Sequence, residues 1–314
     1  GLWAHVHRIA HVDYLPSRRV MLGTLAALVL LALLRPALSN PPANLAVIPG
    51  ALDFDWFILF IHPLTDISSP AIVWSLLFGV TALLFALPVL PHPAPAPVAV
   101  VDAANCTGCD RCLADCPYAA IAMRPHPRRP GLKLAVVDAD LCAGCGICAG
   151  SCPSSTPFRR REILVTGIDM PQQPVNALRE QLEMALARLT GRTRIVVFSC
   201  ARGADAKTLA ATDTAVIDLL CTGQLPPAFV EYALRAGADG VLVTACRAGG
   251  CDFRLGEQWT QQRLLGEREP HLRRTVPPSR LQVVLASAHD DDRLAEALAD
   301  FRSRLDSQPT TSDR

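Results

Sequence analysis

Cysteine is absent from the first 105 residues of this 314-residue chain, whereas the remaining residues contain 12. An excess of charge of one sign is also lacking, because 30 Lys and Arg residues nearly balance 29 Asp and Glu residues. The net charge of +1 gives no electrostatic basis for binding nucleic acid, so we expect no nucleic-acid partner. The uneven distribution of cysteine, in a chain long enough for two or three domains, predicts a multidomain protein.

Eight of the cysteines form two copies of one motif, in which two, two and three residues separate successive cysteines and proline follows the fourth. This spacing is typical of bacterial ferredoxins with two 4Fe–4S clusters, where the fourth cysteine of each copy binds the other cluster. Zinc knuckles or a disulfide framework would also group cysteines, but zinc sites rarely use these spacings in duplicate. We therefore predict an α+β 2[4Fe–4S] ferredoxin domain at residues 101–160.

The motif assigns four cysteine ligands to each cluster. Cluster 1 is predicted to bind Cys106, Cys109, Cys112 and Cys152, and cluster 2 to bind Cys142, Cys145, Cys148 and Cys116. Grouped thiolates without a spare cysteine indicate metal binding in a reducing compartment. We therefore expect the iron–sulfur domains to lie in the cytoplasm.

Long apolar runs are concentrated in residues 1–92 and account for a mean hydropathy of +0.26. Two of these runs predict transmembrane spans at about residues 20–38 and 70–90. Two buried helices of a soluble domain are the alternative, but flanking prolines and the tryptophans Trp56 and Trp74 favour a membrane.

Charge sets the predicted orientation of this hairpin. Three arginines precede the first run, whereas the loop between the runs carries three aspartates and no basic residue. The positive-inside rule then places both ends of the two-helix transmembrane hairpin in the cytoplasm. The expected location is the cytoplasmic membrane, crossed twice.

The segment from about His7 to Pro93 resembles the C-terminal half of cytochrome b from quinol-oxidising complexes. The resemblance is carried by Phe-Asp-Trp-Phe at residues 54–57, in place of Pro-Glu-Trp-Tyr, and by "ALSNPPANLAVIP" and "LLFALPVLPH". It implies that Asp55 is the proton acceptor for quinol. It also implies a partner resembling the N-terminal, haem-binding half of cytochrome b, with no haem in this chain.

Three short segments connect or end the predicted domains. Residues 93–100 are a stiff Pro/Ala linker, and residues 306–314 are expected to be a disordered tail. A basic insert at 124–133, between the two ferredoxin motifs, is either a contact for lipid headgroups or a partner, or a solvated loop.

Strands and helices alternate after Phe158. Apolar strands are predicted at 194–200, 215–221, 240–246 and 281–287, and helices at 173–190, 226–236, 257–267 and 290–305. This alternation predicts an α/β parallel-sheet, flavodoxin-like domain at residues 161–305.

The four remaining cysteines are placed for a further metal site. Cys200, Cys221 and Cys246 each end a predicted strand, and Cys251 follows in a glycine-rich loop. The carboxyl ends of parallel strands lie at one edge of the sheet, where open α/β folds place their sites. Ordinary buried cysteines are the alternative, and spacing alone does not separate zinc from iron–sulfur.

Residues 194–302 resemble the delta subunit of methyl-viologen-reducing hydrogenase, which links hydrogenase to heterodisulfide reductase. The resemblance rests on "IVVFSC", "LLCTGQLPPAFVEYALRAGADGVLVTACRAGGCDFRLGEQW" and "VVLASAHD". It implies a 2Fe–2S cluster bound by Cys200, Cys221, Cys246 and Cys251. The family usually has another cysteine three residues after the first, where this chain has Gly203.

Together these features predict a membrane-anchored iron–sulfur electron-transfer subunit of an oxidoreductase complex. It would pass electrons between a quinone or cytochrome b-type membrane module and a cytoplasmic hydrogenase- or heterodisulfide reductase-like oxidoreductase. A membrane-bound redox sensor or assembly scaffold without turnover is the competing hypothesis.

Overall fold

A computed structural model of the protein describes residues 18–36, 46, 64–65, 67–86, 97–160 and 162–307. Asp55, residues 93–96 of the predicted Pro/Ala linker and residues 308–314 of the predicted tail lie outside the described residues. The chain divides into two units, residues 16–95 and a unit that contains residues 96–314.

The first unit contains two described helices, α1 (Arg18–Leu34) and α2 (Pro70–Ala86), each of 17 residues. At about 1.5 Å per residue they are about 26 Å long, less than the hydrocarbon core of about 30 Å. The apolar run predicts that α1 continues beyond Leu34. The helix ends there because Pro36 disfavours helical conformation at the residue before it. Within the described ranges, no helix is both long and apolar enough to cross a membrane. The predicted two-helix transmembrane hairpin and two-pass location in the cytoplasmic membrane are therefore wrong.

Short strands and helices form the ferredoxin part of the second unit. Strand β1 (Val100–Val101) pairs with β4 (Ile168–Asp169), and β2 (Ile121–Pro125) pairs with β3 (Lys133–Val137), both antiparallel. Two one-turn helices, α3 (Arg111–Ala114) and α4 (Ile147–Ser151), each begin just before the third cysteine of a motif. The basic insert therefore forms the turn of the β2–β3 hairpin and parts of its strands.

A four-stranded parallel sheet forms the C-terminal part, as predicted. Its strands are β5 (Ile195–Cys200), β6 (Thr214–Leu219), β7 (Gly240–Ala245) and β8 (Leu281–Leu285), in the spatial order β6–β5–β7–β8. Counted along the chain this order is 2-1-3-4, as in the first four strands of flavodoxin-like sheets. The central strands are β5 and β7. They are rich in β-branched residues and buried on both faces.

Helices flank this sheet. They are α5 (Val175–Arg188), α6 (Ala228–Arg235), α7 (Gly256–Leu265) and α8 (Asp291–Asp306), and short 3₁₀ turns occur at Ala206–Leu209, Thr222–Gln224 and Pro278–Arg280. Alternate residues of β5 point to opposite faces, so Phe198 packs with α5 and α6 while Val197 packs with α8. In α8 the apolar residues recur at helical spacing, which makes the stripe that covers the second face.

The ferredoxin part packs directly on the carboxyl edge of this sheet. Helix α4 lies against the Thr222–Gln224 turn that follows β6, and the same turn contacts α7. The fold therefore brings the ferredoxin motifs next to the strand ends that carry the other four cysteines.

Candidate iron–sulfur centres

The cysteines predicted for cluster 1 line one pocket, together with apolar side chains such as Met123 and Ile168. Three of them come from the first motif, on the loop before α3 and in α3 itself. The fourth, Cys152, follows α4 and belongs to the second motif. The exchange of the fourth ligand between the motifs therefore matches the placement of these side chains.

The cysteines predicted for cluster 2 line a second pocket. Cys142, Cys145 and Cys148 come from the second motif, and Cys116 comes from the first. Ala120, Ile121 and Ile147 are buried residues in its wall. The two cavities are thus related by the internal repeat of the sequence.

These donor sets fit clusters better than single ions. Among the described residues, no three His, Cys, Asp or Glu side chains are placed to hold one metal ion. Each set instead surrounds an apolar cavity with four sulfurs, the donor set that 4Fe–4S clusters use.

Gly108 makes the loop of cluster 1 possible. Its φ of +68° lies in the left-handed region, and a Cβ there would stand 2.5 Å from the carbonyl oxygen of Lys133. The cluster 1 loop can therefore pack against β3 only because residue 108 has no side chain.

Burial changes the acidity of the ferredoxin thiols. It raises the pKa of Cys112 and of Cys145 to about 12, and it raises the pKa of Cys148 well above its ordinary value. These thiols are therefore protonated at neutral pH in the absence of metal, and iron must displace their protons to bind.

The other four cysteines form a third site at the carboxyl edge of the sheet. Cys200 ends β5, Cys221 and Cys246 follow the ends of β6 and β7, and Cys251 precedes α7; all four are buried. The sulfurs of Cys200 and Cys246 are 3.5 Å apart. Two thiolates on one tetrahedral metal stand about 3.8 Å apart, from a metal–sulfur bond of about 2.3 Å, so this pair suits a shared iron or zinc.

The remaining sulfurs of the third site belong to the same buried group. Cys221 and Cys251 pack together with Cys200, Cys246 and Trp259. The four side chains therefore form one continuous sulfur cluster rather than scattered core residues.

Gly256, the first residue of α7, leaves room for these sulfurs. A Cβ at this position would stand closer than 3.0 Å to the sulfur of Cys221 and 3.1 Å from that of Cys251. The space in front of the third site depends on the absence of a side chain here.

Cluster 2 and the third site share one buried group of side chains. Cys145 and Ile147 from the ferredoxin part pack together with all four cysteines of the third site and with Trp259 of α7. Tyr118 packs against the same group, and burial and the nearby Cys145 raise its pKa. Apolar and aromatic side chains therefore lie between these two sets of ligands.

Sequence reasoning missed a buried ion-pair network beside cluster 2. Asp115, the residue before Cys116, binds the guanidinium groups of Arg263 and Arg268. The arginines lie about 150 positions further along the chain, at the end of α7 and just beyond it, so no local pattern indicates the pairing.

Comparison with known proteins identifies both parts of this unit. The family model for the 4Fe–4S dicluster domain matches residues 105–156. The model for the delta subunit of methyl-viologen-reducing hydrogenase matches residues 195–307. The chain contains both domains. The predicted ferredoxin and hydrogenase delta-subunit resemblances are thus confirmed, whereas neither match reaches the segment compared with cytochrome b.

Individual relatives agree with this identification. A ferredoxin:CoB–CoM heterodisulfide reductase subunit of Methanosarcina mazei is 32% identical over 95 residues, 30% of this chain and 12% of that protein. An F420-non-reducing hydrogenase iron–sulfur subunit of Archaeoglobus profundus is 28% identical over 90 residues, 29% of this chain and 66% of that protein. The F420-non-reducing hydrogenase vhc iron–sulfur subunit of Methanococcus voltae is 34% identical over 50 residues, 16% of this chain and 35% of that protein. The chain therefore spans only part of each relative, and it is an iron–sulfur protein related to subunits of both enzymes.

Proposed function

We propose that the chain is an electron-transfer subunit with two 4Fe–4S clusters and a third centre, a 2Fe–2S cluster bound by Cys200, Cys221, Cys246 and Cys251. It exchanges electrons with a hydrogenase- or heterodisulfide reductase-like oxidoreductase. The relatives named for these two enzymes support this class of partner. The quinone and haem-protein partners predicted from the cytochrome b resemblance depended on the transmembrane hairpin and have lost that support.

One observation carries the proposal. Cys145 of cluster 2 lies in the same buried group of side chains as the four cysteines of the third site. A storage or structural metal would not need this proximity, whereas electron transfer between two centres requires a short path through protein. The shared group supports transfer between cluster 2 and the third site.

The residues of the chain have separable tasks in this scheme. Bound clusters would supply one-electron carriers, and the 12 cysteines would hold them as thiolates. Ile147, Tyr118 and Trp259 exclude water from the space between cluster 2 and the third site. Cys109, the one exposed ligand of cluster 1, marks the side on which electrons enter or leave that cluster.

Metal content tests the proposal. The anaerobically prepared chain should hold about ten irons, four in each ferredoxin cluster and two in the third site. Cys221→Ala should reduce this to about eight and stop transfer to an oxidoreductase partner, while both 4Fe–4S spectra survive. Near-stoichiometric zinc in place of the last two irons would refute the third assignment.

Cys109→Ala is the matched variant, because it removes one ligand of cluster 1 and leaves the third site intact. It should alter the 4Fe–4S signal and retain the 2Fe–2S signal. A chain that holds all its iron but passes no electrons to any donor or acceptor would instead be a redox sensor or scaffold.

A further inference from the structure

Arg263 is the most deeply buried charged side chain at the junction of the two parts. Its side chain is 1% exposed, and its guanidinium donates to the carbonyl oxygen of Gly223 at 2.7 Å and to that of Ile147 at 3.5 Å. Ile147 lies between the cluster 2 ligands Cys145 and Cys148, and Gly223 lies two residues after Cys221. The positive charge is therefore held against the backbone of both ligand sets.

The network around Arg263 carries an excess positive charge. Asp115 accepts hydrogen bonds from Arg263 and from the Nε of Arg268, the latter at 2.9 Å. Arg268 also stacks over the ring of Trp259 at 4.2 Å. Two guanidinium groups and one carboxylate leave a net charge of +1. Among the described residues, the Nε of Arg263 is buried without a hydrogen-bond partner.

A buried positive charge stabilises an added electron more strongly than an exposed one does, because little water is present to screen it. A unit charge acting over about 10 Å at an effective dielectric constant of about 20 changes an equilibrium constant on the order of tenfold. For a one-electron couple, a tenfold change corresponds to about 59 mV. Arg263 bonds to the carbonyl oxygen of Ile147, between two cluster 2 ligands, and its partner Asp115 lines the cluster 2 pocket and not the cluster 1 pocket.

We propose that Arg263, held by Asp115 and assisted by Arg268, is a positioning residue that raises the reduction potential of cluster 2 relative to cluster 1. The inference rests on the proposed function. With the clusters bound, one electron supplied by the oxidoreductase partner would reside preferentially on cluster 2, next to the third site. The transfer moves that electron alone, and no bond forms or breaks.

Redox titration of the iron-loaded full chain, followed by electron paramagnetic resonance, tests the proposal. Cluster 1 is the internal reference and is assigned by the change that Cys109→Ser causes in its spectrum. Arg263→Gln should lower the potential of cluster 2 by the equivalent of about tenfold, and Asp115→Asn should raise it, because these variants remove opposite charges. The double variant Asp115→Asn/Arg263→Gln should return it towards the starting value, and Arg263→Lys should largely preserve it.

Arg302→Gln is the control, because Arg302 is likewise an arginine paired with an aspartate, Asp213, at 3.0 Å, although it is more exposed than Arg263. It contacts none of the cysteine sets in the described structure, so both potentials should stay unchanged. If Arg263→Gln fails to fold, the more exposed Arg268→Gln should still lower the potential of cluster 2 by a smaller amount.

Shifts of the same sign in Arg263→Gln and Asp115→Asn would overturn the inference, since a general loosening of the site does not depend on charge. Equal shifts of clusters 1 and 2 would overturn it as well. A chain without the third centre would contradict part of the proposed function and not the inference about Arg263. The reduction potential of cluster 2 can be measured in each variant even when no electrons reach the third site.

Discussion

Gly256→Ala offers a sharp test of the third site, because it adds one methyl group beside two of its sulfurs. The new Cβ would stand closer than 3.0 Å to the sulfur of Cys221, whereas relaxed contacts between such atoms are about 3.5–4.0 Å. One of the two atoms must therefore move by on the order of 1 Å. Overpacking of this kind typically costs about 1–3 kcal/mol.

Helix propensity acts in the opposite direction. Alanine is favoured over glycine in a helix by up to about 1 kcal/mol, and Gly256 begins α7. The free energy of unfolding should therefore change little, while the geometry of the third site changes a great deal. We expect about eight irons per chain in place of about ten, with the 2Fe–2S signal lost and both 4Fe–4S signals kept.

Gly266→Ala is the control at the other end of the same helix. No atom lies within 4 Å of the position that its Cβ would take, and its φ of +85° makes alanine strained there. This variant should lose about 1 kcal/mol of stability and keep about ten irons. Iron and sulfide analysis with thermal unfolding measures both quantities. Wild-type iron content and spectra in Gly256→Ala would refute the assignment of Cys221 and Cys251 to one metal centre.

Two further predictions concern the ferredoxin part. Gly108→Ala should remove cluster 1 and leave cluster 2, because the added Cβ would stand 2.5 Å from the carbonyl oxygen of Lys133 at a φ of +68°; equal loss of both 4Fe–4S signals would contradict this. Burial raises the pKa of Cys112 and Cys145 to about 12, so their thiols are protonated until iron binds. Iron loading should therefore release protons, and the affinity for iron should increase from about pH 6 to about pH 9. A pH-independent affinity in a weakly buffered titration would show that these thiols ionise before loading.

Local sequence patterns predicted most of the second unit. Cysteine spacing carries the ferredoxin motif because ligands of one cluster lie on one short loop, and the family match at residues 105–156 confirms this part. Alternating apolar strands and helices predicted the parallel sheet for a similar reason, since each strand is a short and mainly apolar segment, such as Ile195–Cys200. The ligand assignments themselves stay predictions, supported by the way the side chains surround each cavity.

The wrong predictions arose where sequence composition was used without helix geometry. The run that includes α1 is apolar enough for a membrane span, but the helix ends at Leu34, two residues before Pro36. Apolar composition therefore predicted the existence of α1 and α2, and it overestimated where α1 ends.

Contacts between distant parts of the chain were not predictable from any local pattern. Arg263 and Asp115 are separated by 148 positions, and Tyr118 bonds to the carbonyl oxygen of Asp252 across 134. Asp115 lies between the ligands Cys112 and Cys116, and no feature of the neighbouring sequence indicates that it forms a buried ion pair. Such pairings depend on how the ferredoxin part packs on the sheet, which the sequence does not state.

The closeness of that packing is itself an argument for a fixed path between the centres. A Cβ on Gly150 of α4 would stand closer than 3.0 Å to the carbonyl oxygen of Gly223, so backbone meets backbone at this point. Gly223 lies two residues after Cys221, and Gly150 lies two residues after Cys148. Because electron transfer weakens steeply with distance, a junction without side chains brings the two ligand sets as close as their backbones allow. The buried Arg263 bonds to both sides of this junction, so its positive charge lies between the two ligand sets.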